Sequence, residues 1–409
     1  MNTWTERQLG ELIHIKHGFA FSGDYIVDYD NGVVLVTPGN FKIGGGFKHS
    51  GKKFFSGEIP DDYILQSNAL IVTMTDLSKN ADTLGYAAYV PNDEKTYLHN
   101  QRIGLVSIIS DDINESFLYW LLRTPWYQRR IANTCNGANV KHTSPDRIYK
   151  YKFLLPTLSE QKNIAKILSA YDNLIEANNR RIELLDQTAQ ELYKEWFVRF
   201  RFPGYESAKF ENGLPEGWER NKIQKYYNTC SGGTPSRSKP EYFENGVYPW
   251  VKTGEIKDCV IIDTEEHITQ EAVNSSSAKV LPAKAVAMAM YGVNIGLLAY
   301  FDSEMTCNQA CCVFSDKRDF SSKHYLYYYL KSIREYLLLI SFGAAQQNLS
   351  QDLIKKIKIT MPSDDVVKAF EKQIDDIYES IRMLLKKNKN LAEQRDMLLP
   401  RLMSGKLEV

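Results

Sequence analysis

The chain has no surplus of charge, no long apolar run, no C-x-x-C pair and no Pro-Pro. Each absence removes a class of protein. Its 50 basic and 50 acidic residues cancel, so a surface that grips any nucleic acid by charge alone is not predicted. Local basic faces remain compatible with that balance. No stretch approaches the roughly 20 consecutive apolar residues of a membrane helix. Met1-Asn2-Thr3-Trp4-Thr5-Glu6 lacks the basic-then-apolar build of a secretory signal. A cytoplasmic chain without membrane contact is the expectation. The six cysteines, Cys135, Cys230, Cys259, Cys307, Cys311 and Cys312, are expected to be reduced structural thiols. Cys307-x-x-x-Cys311 has neither a matching second pair nor a nearby histidine, so no metal site is predicted.

Enzyme signatures are missing as well. Without Pro-Pro there is no Asn-Pro-Pro-aromatic motif of an adenine methyltransferase. Gly44-Gly45-Gly46 lies in a Phe/Lys-rich turn, without the strand and helix that frame a nucleotide loop. Asp61-Asp62 with Asp93-Glu94-Lys95 loosely imitates a nuclease carboxylate–lysine set, yet nothing clearly matching returns later in the chain. No catalytic residue and no cofactor are expected.

What the chain does have is a repeat. Its 409 residues suffice for two or three domains. Trp4-Thr5-Glu6-Arg7 returns as Trp218-Glu219-Arg220-Asn221, and the apolar run Ala69–Met74 as Ala285–Met290. Asn100-Gln101 returns as Asn308-Gln309. The helix-like Ser116–Leu122 returns as His324–Leu330. A polar turn at 137–140 matches one at 343–348. Tyr151–Pro156 matches Ile357–Pro362. The landmarks keep their order at offsets of about 206 to 216, far too long for a solenoid. A domain-plus-helix unit has been duplicated, each globular part mixed α/β and rich in strands.

Each copy ends in a long helical segment. The first opens at Leu158-Ser159-Glu160-Gln161, with Ser159 placed to cap it, and runs without Gly or Pro to about Phe200. Its stripe is Ile164, Tyr171, Leu174, Leu185 and Leu192, widened by Leu168, Ile175 and Ile182. The second follows Pro362-Ser363 with a heptad seam of Phe370, Ile374, Ile377, Ile381, Leu384, Leu391 and Leu398. Asn178 and Arg181 interrupt the first seam; Asn388 and Arg395 interrupt the second. Two matching stripes predict that the helices pair, with the polar residues fixing register. A helix of about 40 residues is roughly 60 Å long, more than one domain covers, so it is expected to act as a spacer.

These residues resemble a known family. Pro156–Leu168, Glu191–Phe200 with Phe202-Pro203-Gly204, and Leu398–Leu407 resemble the helix boundaries of type I restriction–modification specificity subunits. Ser231-Gly-Gly-Thr-Pro-Ser-Arg237 and Tyr248–Gly254 resemble a common opening of their target-recognition domains. The first domain departs from that opening, reading Lys16-His17-Gly18-Phe19 instead. The resemblance implies a mixed α/β (α+β) fold with a pseudo-two-fold internal repeat. Two β-rich target-recognition domains (1–157 and 203–362) are separated by two long helices (158–202 and 363–409), which form an antiparallel intramolecular coiled coil. It implies double-stranded DNA as ligand, with two modification subunits and restriction subunits as partners. S-adenosylmethionine, ATP and Mg would belong to those partners. A protein–protein scaffold and a free-standing DNA-binding regulator are the competing readings.

Base reading needs paired donors and acceptors on polar turns. In the second domain the candidates are Thr234, Ser236, Arg237, Lys252, Gln346, Gln347 and Asn348, with Gly232 and Gly233 admitting a phosphate to backbone N–H groups. In the first they are Lys16, His17, Asn40, Lys42, Asn139, Lys141 and His142. The basic runs 147–152 and 355–358 are read as solvated strand faces.

Overall fold

A short ladder closes each repeat. Thr5–Gln8 pairs antiparallel with Lys152–Leu155, Thr5 opposite Leu155. Glu219–Lys222 pairs in the same way with Lys358–Met361, Glu219 opposite Met361. The closing strands alternate as a half-buried strand must: Phe153 and Leu155 point inward, Lys152 and Leu154 outward. In this computed structural model, residues 4–137, 139–341 and 348–409 are described. The chain forms two compact units, Met1–Ile175 with Leu391–Val409, and Glu176–Asn390, so each unit takes in part of both long helices.

In the first unit, one antiparallel sheet has the order Ile13–His17, Ile103–Ile108, Leu70–Thr73, Ala87–Tyr89. Leu70–Thr73 is buried along its whole length, which is why Leu70, Ile71 and Val72 follow one another without the polar alternation of a half-exposed strand. A second, mixed sheet carries the parallel pair Val33–Leu35 and Thr96–Leu98. The second unit repeats the first sheet as Tyr227–Ser231, Cys311–Asp316, Val286–Ala289, Leu298–Phe301, and extends it with Cys259–Ile261. The counterpart of the first unit's parallel pair is Tyr248–Val251 with Thr306–Cys307, and the added strand Cys259–Ile261 also runs parallel to Leu298–Phe301. The duplicated mixed α/β fold predicted from the landmarks is present in both halves. All six cysteines are free thiols, and among the described residues no helix is long and apolar enough to cross a membrane.

The central helix spans Leu158–Tyr193 and continues as a π turn over Lys194–Val198. Its cap is Thr157, not Ser159. The Glu160 carboxylate accepts from the Thr157 N–H (2.9 Å) and hydroxyl (2.7 Å). Glu160 also takes the Trp4 indole N–H at 3.2 Å, which ties the opening strand to the helix start. Gln161 is fully buried; its amide donates to Asp112 O and Pro156 O and accepts from the Asn114 N–H. The C-terminal helix spans Asp364–Met403.

Both units show the helices packed together and antiparallel. In the first unit, Ile164, Ala165 and Leu168 share a core with Leu399, Leu402 and Met403, and Leu398 packs against it. Asp172 there is held between Arg123 and Arg395. Burial alone would raise the Asp172 carboxyl, but the two guanidinium groups outweigh it and keep it lowered. In the second unit, Ala189 and Tyr193 share a core with Phe370, Ile374, Tyr378 and Ile381, with Leu185, Leu192 and Ile377 partly buried beside them. Asn178 donates to Asn388 at 2.8 Å, and Asn388 donates to Asn179 at 2.8 Å. The two asparagines that interrupt the seams thus meet each other in one amide layer. Leu384 is buried, Tyr171 and Leu391 half-buried. Leu174 is the exception: it is 39% exposed. The stripe turns there toward Ile175 and the buried Asn178, because a 3.6-residue helix drifts from a strict heptad.

Glu371 of the C-terminal helix is buried in the second unit. One oxygen accepts the Tyr325 N–H at 2.8 Å; the other has no hydrogen bond among the described residues. Burial pushes its carboxyl up to about 8. The folded chain therefore keeps a proton that the unfolded chain releases from the ordinary carboxylate range upward. Stability from this group is full at acid pH and falls as pH rises toward 8. Glu371→Gln, which keeps the neutral shape, is expected to raise thermal stability by roughly 2 kcal/mol at alkaline pH and by little at acid pH. A difference that stays constant from pH 5 to pH 8 would show that the folded carboxyl is already ionised.

Candidate nucleic-acid interface

In the second unit four stretches meet at one corner. Strand Tyr227–Ser231 runs into Gly232 and Gly233, and the Gly233 N–H donates to Cys307 O at 2.9 Å. Asn308 N–H donates to Val251 O at 3.0 Å, just before Lys252. The Thr234 hydroxyl bonds the Gln309 side chain. Tyr291 bridges Asn348, and Leu349 N–H donates to Met290 O at 2.8 Å. The corner thus gathers the Gly-Gly-Thr turn, Lys252, Asn308-Gln309 and Asn348. Gln346 and Gln347 lie outside the described residues.

The cations of this corner are held in place. Glu266 takes both Arg237 and Lys252, and Lys252 also reaches Glu265 at 2.8 Å. The Arg237 guanidinium lies 4.5 Å from the Phe243 ring centre and 5.0 Å from that of Trp250. Arg237 and then Lys252 keep the Glu266 carboxyl lowered against the opposing effect of burial. Glu265 and Glu266 raise the Lys252 ammonium. Arg237 is thus exposed, charged and oriented on an aromatic platform. Ser236 is exposed and shares a hydrogen bond with Ser238 at 2.8 Å.

The glycine pair has a different reason from the one read in the sequence. A Cβ on Gly232 would meet Cys307 O at 1.8 Å, and one on Gly233 would meet Ser277 Oγ at 2.2 Å. The Gly233 N–H is already committed to Cys307 O. The pair is glycine because the turn packs against other backbone, not to expose that amide to a phosphate.

The first unit builds the equivalent corner with other side chains. His17 ends its strand opposite Gly104, Met74 N–H donates to Arg102 O at 2.8 Å, and Lys141-His142 pairs with Thr75-Asp76. His142 Nδ1 lies 3.2 Å from the Thr75 hydroxyl. Lys141 Nζ donates to Gly137 O at 3.1 Å, and Asn139 is exposed nearby in sequence. Lys16 donates to Asp62 O at 2.9 Å and lies 4.8 Å from the Tyr63 ring centre.

Asn40 and Lys42 are not part of this corner. Asn40 is fully buried; it accepts the Thr37 N–H at 2.9 Å and donates to Lys48 O at 3.4 Å. It is a turn-forming residue, withdrawn from any ligand. The following turn, which includes Lys42, packs on Arg123, whose Nε donates to Gly44 O at 2.8 Å. Arg123 faces the central helix through Asp172. Sequence reasoning in turn passed over corner residues. Asn100-Gln101 and Asn308-Gln309 were landmarks of the repeat, and their recurrence was the available signal. Gln351, which donates to Ser231 (2.6 Å) and takes the Thr229 hydroxyl (3.2 Å), gave none.

A duplicated α/β unit, each copy ending in a helix paired with its partner helix and each presenting a polar corner at the same strand ends, defines a twofold recognition module. The family described as type I restriction modification DNA specificity domain matches residues 1–187 and 215–394, and the chain belongs to it. It is 25% identical to the type I restriction enzyme HindI specificity subunit of Haemophilus influenzae, covering 100% of both chains. It is 37% identical to the EcoR124I/EcoR124II specificity subunit of Escherichia coli over 44% of this chain and 42% of that one. The crystal structure of a type I restriction-modification S subunit from M. genitalium has the same fold, with TM-score 0.59 and 16% identity over 98% of this chain and 96% of that one.

Gly232→Ala is expected to destabilise the second unit by about 2–4 kcal/mol, because backbone must move. Gly254→Ala, with nothing within 4 Å of its Cβ, is expected to be near neutral. Thermal unfolding of the two variants checks the difference.

Proposed function

We propose that this specificity subunit reads a split duplex target, one half with each unit's corner, and carries no catalytic site of its own. The observation that carries the reading is that one corner is built twice on equivalent strand ends but furnished differently. His17, Lys141 and His142 occupy it in one copy, and Thr234, Arg237, Lys252 and Asn348 in the other. Equivalent backbones with unlike side chains suit unlike half-sites. Dyad-related docking sites on duplex DNA accept two such readers at a fixed separation. Helices of this length would allow an unread spacer of roughly 60 Å, or about 17 base pairs, at most.

Methylation and cleavage then belong to partners: two modification subunits binding S-adenosylmethionine, and restriction subunits using ATP and Mg. The exposed Leu184 and Met383 of the long helices are apolar side chains that such partners would cover.

Arg237→Met tests the reading of bases. With the assembled complex, discrimination at one position of the second half-site is expected to fall by about 1–3 kcal/mol, the first half-site staying intact. Assembly without any change in DNA selection would favour the scaffold instead. Inserting seven residues into each helix at the Asn178–Asn388 layer is expected to lengthen the unread spacer by about three base pairs. The methylation pattern shows the spacer directly, and an unchanged length would remove the ruler.

A further inference from the structure

The two repeats treat one depression in opposite ways. In the second unit, Lys222, Lys225, Lys317 and Lys355, with Asn228 and Thr229, line an open cavity of about 580 Å³. Among the described residues no carboxylate lines it. Two acids stand at its rim: Glu219 pairs with Lys225, and the exposed Asp352 lies 3.6 Å from Lys355. Lys317 donates to Gln224 O at 2.6 Å. Lys222 and Lys317 have no carboxylate partner among the described residues.

Backbone hydrogen bonds identify the same place in the first unit. Ile223 N–H donates to Ile357 O as Leu9 N–H does to Tyr151 O. Lys317 N–H donates to Tyr226 O as Ile109 N–H does to Leu12 O. By these bonds Lys355 is equivalent to Tyr149, Gln224 to Gly10, Lys225 to Glu11 and Lys317 to Ile109. In the first unit Tyr149 fills the depression. A Cβ on Gly10 would meet its side chain at 2.8 Å, and its hydroxyl accepts the Ile15 N–H at 2.8 Å. Glu11 is paired with Arg7, which also binds Asp112. One copy is therefore closed and apolar or ion-paired; the other is open and basic.

The open copy adjoins the polar corner. Asn228 and Thr229 lie on the strand Tyr227–Ser231 that leads into Gly232. Gln351, which binds Thr229 and Ser231, shares the short helix Gln351–Lys356 with Lys355. The run 355–358, read in the sequence as a strand face, is thus split: Lys355 belongs to this helix, and only Lys358 begins the strand. A lysine-lined groove beside a base-reading turn is suited to the sugar-phosphate backbone, where contacts position rather than specify.

We propose that this groove of the second unit holds backbone phosphates of the duplex whose bases the adjoining corner reads. The proposal rests on the DNA-reading function above. It also gives a charge-neutral chain a local basic face on the second repeat.

The test is the salt dependence of binding by the full chain assembled with its modification subunits. It uses a target duplex and an equally long duplex lacking both half-sites. The variant is Lys222→Gln, Lys317→Gln and Lys355→Gln combined, all three being exposed or half-exposed side chains. Affinity is expected to fall by the same factor on both duplexes. The log–log salt slope is expected to become shallower by about two to three. A second variant, Lys355→Tyr with Gln224→Gly, copies the closed arrangement of the first unit. It is expected to move both readouts in the same direction while thermal unfolding stays near wild type. An unchanged slope overturns the proposal. So does retained DNA affinity with weakened assembly, which would assign the groove to an acidic protein segment. If the unaltered complex shows no preference between the duplexes, split-target reading falls, and the slope on the non-target duplex still decides the groove.

Discussion

Coverage of two long apolar stripes is the constraint on which everything else depends. A helix of 36 residues with a wet apolar face does not persist on its own, because most helical stability in proteins comes from packing that face. Each helix finds its cover in two places: the other helix, and the core of whichever unit it passes through. Ile164 and Leu168 meet Leu399 and Leu402 in one unit; Tyr193 meets Phe370 in the other. Polar groups then fix which residues face which. The Asn178–Asn388–Asn179 layer and the Asp172 carboxylate shared by Arg123 and Arg395 are satisfied in one register only. A slip would leave buried amides or charges without partners.

Domain and helix are joined by the same logic. Arg123 bonds the central helix through Asp172 and the Gly44 turn through its Nε. In the second unit Lys331 reaches Asp186 of the central helix, while Arg382 and Lys386 of the C-terminal helix share Asp302. Each globular part is thus fastened to both rods inside its own unit.

Duplication kept the backbone frame of the closing ladder, one sheet and the corner, and left the surfaces free to diverge. The closing ladders, the order of the four shared strands of one sheet and the corner hydrogen bonds coincide. Buried positions such as Ile148 and Ile354 stay apolar, because a change there opens a cavity. Tyr149 and Lys355, one residue further on, differ completely. Surface positions carry little of the fold, so they are where two readers become unlike.

The sequence by itself determined the repeat, its strands, the two helices and their pairing. Those follow from periodicity and from landmarks in fixed order, which are local or self-referential signals. It determined less about the interface. Asn40 reads like any polar turn residue, yet it is buried by its own turn. The Gly232–Gly233 pair reads like a phosphate loop, yet packing against Cys307 and Ser277 explains it. Ser159 reads as the cap of the central helix, yet Thr157, bonded to Glu160, takes that place. Leu174 fits a heptad but lies where the helix has drifted out of it. The corner, the Glu266 clamp and the lysine groove join residues far apart along the chain. Only tertiary structure decided them, because which distant side chains become neighbours depends on strand order and register.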